Sequence, residues 1–142
     1  MTIKRTAIVS KPLSQVFDYL ADFRNAVEWD SGTVACTRRS GDGGVGTTYA
    51  NTSKFLGRKT DLTYVVETLE PPHRLVLRGE NATVVGRDTL VLTSADGSTR
   101  VDYTAAFDFK GAVRFLQPLL RLPLEKLGND SQKTLLGALS RL

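Results

Sequence analysis

Six short runs of alternating apolar and polar residues, separated by very tight turns, limit what this chain can fold into more than any other feature. The runs fall near 33–39, 46–56, 59–69, 74–80, 83–94 and 99–109. Between them stand Gly41-Asp42-Gly43-Gly44, Leu56-Gly57, Pro71-Pro72, Glu80-Asn81 and Asp96-Gly97. Such residues supply positive φ, fix φ, or close a turn through a side chain. Parallel neighbours need a crossover of about a dozen residues, so connections this short join antiparallel strands. Thr2 to Val9 adds a further strand, marked by Ile3, Ala7 and Val9. The expectation is an α+β protein built on a seven-stranded curved antiparallel sheet.

Alternation tells which face is buried. In the last run Val101, Tyr103, Ala105, Phe107 and Phe109 share one face, while Arg100, Asp102, Thr104 and Asp108 share the other. Leu62, Tyr64 and Val66 oppose Asp61, Thr63 and Glu67, with Val65 interrupting. Leu75 and Leu77 oppose Arg74 and Arg78, with Val76 interrupting. One apolar face needs one cover, and only the leucine-rich tail from Ala112 to Leu142 is long enough to supply it.

In that tail Arg114, Gln117, Arg121 and Glu125 form a narrow polar stripe, and Phe115, Leu116, Leu119, Leu120 and Leu127 lie in the apolar remainder. Pro118 and Pro123 each remove a helical donor, so the first part is predicted to be kinked or split. A straighter helix follows, with Leu127, Leu135, Leu139 and Leu142 inward. The apolar sector is wider than a helix resting on a flat sheet needs, which predicts a cavity between sheet and helix. Two short helices are expected between strands 1 and 2. Ser10-Lys11-Pro12 opens the first, on which Leu13, Val16, Phe17 and Leu20 share a face. Asp22 caps the second, which carries Phe23 and Val27 towards Trp29.

With 142 residues the chain reads as one domain, 1–142, of ordinary globular composition. No run approaches the ~18 apolar residues of a membrane span, and the first residues lack an apolar leader core, so a cytoplasmic location without stable membrane insertion is expected. The single cysteine, Cys36, reads as an inert buried thiol. Net charge is +4, but the basic residues are scattered pairs such as Lys4-Arg5 and Arg38-Arg39. Nucleic-acid binders show a denser stripe with interleaved aromatics, so no nucleic-acid partner is expected.

Few residues offer chemistry. Gly41, Gly43 and Gly46 satisfy a GxGxxG spacing, but strand-forming residues follow where a phosphate-binding loop opens a helix; the motif reads as a hairpin loop. His73, the only histidine, stands in a predicted turn and reads as solvated. No metal-ligand spacing is present, and no metal or cofactor is expected. Glu28 and Asp30 flank Trp29 and would suit acid–base work only if desolvated. Asp88, beside Arg87, faces either the cavity or the surface. Tyr64 and Tyr103 point inward, either lining a cavity or packing with their hydroxyls bonded to backbone.

The order of these landmarks resembles a known superfamily over essentially the whole chain. They are Ser10 to Asp22, Glu28-Trp29-Asp30, Val45-Gly46-Thr47, Val66 to Leu75, and Asp96 to Val101. Together they are similar to the START-like helix-grip superfamily, also described as SRPBCC or polyketide cyclase/dehydrase and lipid-transport proteins, which includes the birch-pollen allergen type. The resemblance implies a cavity between sheet and last helix, in members that range from ligand carriers and receptors to polyketide aromatase/cyclases. Family enzymes generally place Arg, His, Tyr or carboxylates in that cavity, whereas the inward positions assigned here are mostly aliphatic or aromatic.

The expected cavity lining is Trp29, Leu62, Tyr64, Leu77, Leu90, Leu92, Tyr103, Phe107, Phe115, Leu116, Leu119, Leu120 and Leu127. Three uses follow. The first is non-enzymatic binding of a small apolar or amphipathic ligand (a lipid, fatty acid, sterol-like compound or polyketide) by a monomer or homodimer. The second is a cyclase or dehydratase using a cavity tyrosine or carboxylate as acid or base. The third makes the 112–127 segment a transient membrane-surface or protein contact, with Arg114 and Arg121 towards anionic headgroups.

Overall fold

Backbone handedness at two turns sets the hairpins that shape the sheet. In the computed structural model, which describes all 142 residues, Leu56 and Gly57 have φ of 53° and 78°, and Asp96 and Gly97 have 49° and 80°. Two consecutive positive φ angles make the tight hairpin turn whose twist matches that of its strands. The strands they join are β3 (Thr48–Phe55) with β4 (Arg58–Glu70), and β6 (Val84–Ala95) with β7 (Ser98–Phe109). With β1 (Thr2–Val9), β2 (Thr33–Ser40) and β5 (Arg74–Glu80) they form one seven-stranded sheet in the order β1-β7-β6-β5-β4-β3-β2. Every neighbouring pair is antiparallel. The first strand closes on the last, so the sheet is a meander with β1 added at one edge.

Between β1 and β2 the chain forms α1 (Leu13–Ala21), a 3₁₀ turn at Phe23–Asn25 and α2 (Ala26–Trp29). Asp22 accepts the Arg24 N–H at 3.2 Å, the cap expected of it. Ser10 does not cap α1; Pro12 occupies the N-cap in extended conformation and its carbonyl accepts the first helical bond, from Val16 N. Val16, Phe17, Leu20, Phe23 and Trp29 are each at most 2% exposed.

After β7 a 3₁₀ helix, Gly111–Leu116, leads into one continuous helix, α3 (Gln117–Ser140). Of the kink or split expected at the prolines, the split does not occur: α3 runs unbroken through Pro123. Pro118 lies at the start of α3, where its missing donor would be unpaired anyway, and only Pro123 is internal. The first residue of α3 to be buried is Leu124; Gly128, Ser131, Leu135, Ala138 and Leu139 continue its inward face. No residue of the preceding 3₁₀ helix is buried. The first turns of α3 thus overhang the sheet rather than cover it.

Aromatic residues key these layers together. Phe23 lies 5.7 Å from Tyr49 and 4.8 Å from Tyr64 between ring centres, and Trp29 meets Tyr103 edge-to-face at 5.7 Å. Tyr64 lies against its cross-strand partner Gly79. A Cβ at Gly79 would stand 2.5 Å from Tyr64 Cζ, and a ring already held by Phe23 has little room to move. Gly79→Ala is therefore expected to cost about 1–3 kcal/mol through overpacking. Denaturant unfolding checks this, and an unchanged midpoint would contradict the ring's position.

Candidate functional site

The inward face of the sheet is divided in two. At one end α1, the Phe23 turn and α2 fill the concavity, together with Leu135 and Leu139 of α3. At the other end neither short helix reaches, and a cavity of about 140 Å³ remains, open to solvent at its mouth. Its walls come from Ile3 of β1, Leu62 and Tyr64 of β4, Val84 and Asp88 of β6, and Tyr103, Ala105, Phe107 and Phe109 of β7. Leu124, Leu127, Gly128 and Ser131 of α3 form the roof, and Lys54, Phe55 and Thr60 of the β3–β4 hairpin border the mouth. A cavity of about 150 Å³ lined by Leu, Ile and Phe holds a benzene, so this one takes roughly a single ring, with more room towards the mouth.

The expected lining positions separate accordingly. Leu62, Tyr64, Tyr103, Phe107 and Leu127 border the cavity. Trp29, Leu77, Leu90 and Leu92 do not: each is at most 2% exposed, packed in the core rather than along the cavity. Phe115, Leu116, Leu119 and Leu120 do not line it either. The first three are exposed, at 72%, 48% and 74%, and Leu120 is partly exposed, because the 3₁₀ helix and the first turns of α3 do not pack on the sheet. His73 is exposed, its Nδ1 near the Leu92 carbonyl.

What makes the cavity more than a void is Asp88. It belongs to the inward series of β6 (Val84, Gly86, Asp88, Leu90, Leu92), while Arg87 points outward and pairs with Glu67 at 2.7 Å. Asp88 is 5% exposed, and its Oδ1 accepts a hydrogen bond from the Tyr103 hydroxyl at 3.2 Å. Burial, and behind it the charge of Asp30, push its carboxyl up to about 7, against the pull of the Tyr103 bond. A carboxyl whose proton affinity is raised by burial in an apolar cavity is a candidate for a functional position. Burial likewise lifts the Tyr64 and Tyr103 phenols well above their ordinary value, so both stay protonated. Tyr64 makes no hydrogen bond through its hydroxyl, and Asp88 Oδ2 likewise receives none; both residues line the cavity.

The second acidic residue is Asp30, at the end of α2. Its carboxylate accepts from Gly32 N at 3.1 Å, Thr33 Oγ1 at 2.9 Å and Ser131 Oγ at 3.3 Å. Thr134 Oγ1 donates to the Trp29 carbonyl at 2.6 Å, so α3 holds the α2–β2 loop and turns Asp30 towards the cavity. Burial raises its proton affinity while the three donors oppose this. Glu28, the other acid beside Trp29, is exposed and accepts from the Tyr19 hydroxyl at 2.7 Å. Lys54 is the only basic residue bordering the cavity.

Asp88 also makes stability depend on pH. An unfolded Asp titrates near 4 and folded Asp88 near 7. Between these values the folded state holds a proton the unfolded state has lost, so stability falls as pH rises through the window and levels off above it. The full effect is on the order of 4 kcal/mol. Asp88→Asn should remove most of this loss in denaturant titrations run across that pH range. An identical pH slope in the variant would contradict the burial of a protonated carboxyl.

Comparison with solved structures fits the same architecture. The Zhui aromatase/cyclase from Streptomyces sp. R1128 superposes with a TM-score of 0.82 at 16% identity, over 99% of this chain and 94% of that one. A START superfamily protein from Mycobacterium smegmatis gives 0.78 at 12% identity, over 99% and 97%. The protein TTHA0849 from Thermus thermophilus gives 0.73 at 14% identity, over 97% and 99%. At these identities the likeness is one of fold. No curated protein matches in sequence. The family model described as polyketide cyclase / dehydrase and lipid transport matches residues 1–141, and with the helix-grip arrangement of sheet and C-terminal helix, this chain belongs to that family.

Proposed function

We propose that the protein binds one small amphipathic molecule, with a ring-sized apolar body in the cavity and an uncharged polar end at Asp88 and Tyr64. One observation carries the reading: an apolar, aromatic cavity whose wall presents a buried carboxyl–phenol pair with an oxygen still open to a partner. Burying about 150 Å² of ring surface contributes about 4 kcal/mol, much of which association entropy offsets. Hydrogen bonds then set orientation. A hydroxyl or carbonyl finds a donor in the Tyr64 phenol and either a donor or an acceptor in Asp88, depending on its protonation. A carboxylate instead meets two acidic residues with only Lys54, near the mouth, to balance it. Fatty acids are therefore poor candidates, whereas phenols, ketones and alcohols suit the site. The free, buried Cys36 fits a protein working in the cytoplasm.

A second reading has its own support. Asp88, poised near neutral pH beside Tyr103, has the properties of a general acid or base for dehydration or cyclisation of a carbonyl compound. The Streptomyces neighbour is an aromatase/cyclase, which makes this reaction class the one to assay.

Calorimetry with 2-naphthol and its anionic counterpart 2-naphthoate tests the binding. The naphthol should bind at least about tenfold more tightly, a difference of about 1.4 kcal/mol. Ala105→Leu, which puts a side chain into the cavity, should abolish the binding without altering the circular dichroism. Equal or tighter naphthoate binding, or binding that survives in Ala105→Leu, would overturn the reading. Asp88→Asn separates the two uses: a binder loses a few-fold in affinity, whereas an enzyme loses turnover with binding retained.

A further inference from the structure

Both lips of the cavity mouth carry apolar side chains that nothing in the fold covers. On one side are the 3₁₀ helix Gly111–Leu116 and the first turns of α3. Phe115, Leu119 and Leu122 follow each other at helical spacing and are 72%, 74% and 81% exposed, with Leu116 at 48%. On the other side the β3–β4 hairpin presents Leu56, 63% exposed, beside the mouth residue Phe55. Scattered exposed leucines are ordinary. Here they are grouped on the two elements that frame one opening.

Charge follows the same two lips. Residues 43–60 and 111–124 contain no Asp or Glu. They hold Lys54, Arg58, Lys59, Arg114 and Arg121, none of which forms an ion pair with a protein carboxylate. The rest of the chain is close to neutral, with 15 acidic residues against the other 14 of the 19 basic ones. The net positive charge of the protein is thus carried by these two segments.

We infer that this rim docks on a bilayer surface bearing anionic headgroups, with the leucines and Phe115 entering the interface and the five cations meeting the phosphates. Apolar side chains flanked by Lys and Arg are the composition of an interfacial segment. A second copy of the chain is a poor occupant, because it would bring the same five cations against these five. A protein groove fits less well too, because the apolar residues stand on two separate elements rather than on one continuous face. A fluid lipid surface accepts both elements at once, and such docking would open the cavity directly onto the bilayer.

Vesicle sedimentation of the full chain tests this, using phosphatidylcholine alone or mixed with phosphatidylglycerol, together with light scattering. The protein should sediment with the anionic vesicles at low salt, about tenfold more weakly with phosphatidylcholine, and less as salt screens the cations. Leu119→Ser/Leu122→Ser and Arg114→Gln/Arg121→Gln should each lose most of the binding. None of these residues lines the cavity, so 2-naphthol affinity should be unchanged in both variants, which keeps this test separate from that of the ligand site. No sedimentation, or equal sedimentation with both vesicles, would overturn the proposal. So would a wild-type dimer that Leu119→Ser/Leu122→Ser converts to monomer.

Discussion

The architecture depends on how the Trp29 wedge fills one end of the sheet's concave face. Trp29 is completely buried, with Phe23 beside it, Tyr103 across its edge and its carbonyl tied to Thr134 of α3. That packing fixes where α3 crosses the sheet and where the α2–β2 loop runs, and hence where Asp30 sits. The short helices stop there. Over the other end only Leu124, Leu127, Gly128 and Ser131 of α3 form a roof, so the cavity is the part of the concave face that the wedge does not reach.

Asp88 and its surroundings then stand as a cost accepted for use. An aliphatic residue in the inward series of β6 would pack against Tyr103 without desolvating a carboxyl. Burying an acid in apolar surroundings is unfavourable unless it is neutralised or well bonded, and Asp88 has a single hydrogen bond from the protein. Its raised proton affinity is how the fold tolerates it. Trp29 Nε1, buried without a partner, adds a second unmet polar group to the core.

Much of this is legible in the residues themselves. Turn residues bound the strands to within a few positions, because two-residue hairpins admit few backbone solutions, and period-two alternation assigns Tyr64, Tyr103 and Phe107 to the inner face. The position of the cavity along that face is not legible. Leu77, Leu90 and Leu92 share the face with Asp88, and only the three-dimensional reach of α1 and α2 decides which end is filled. For Asp88 the signal is present: placing Leu90 and Leu92 inward also places the residue two positions earlier inward. The Arg87 neighbour suggests a surface pair, yet adjacent strand residues point to opposite faces. Asp30 gives no such signal, since its donors come from Gly32, Thr33 and the distant Ser131. In the tail, leucine richness predicts cover, but a helix longer than the sheet leaves its first turns without a surface to pack on.

The central claim is that a molecule fits between α3 and the β6–β7 end of the sheet with its polar end on Asp88. A crystal structure of the protein soaked with 2-naphthol tests it most directly. The account predicts ring density between Leu127, Phe107 and Ala105, with the hydroxyl within hydrogen-bonding distance of Asp88 Oδ2 or the Tyr64 hydroxyl. Leu124 and Leu127 collapsed onto the sheet with no enclosed space, or the naphthol bound only on the surface, would contradict it.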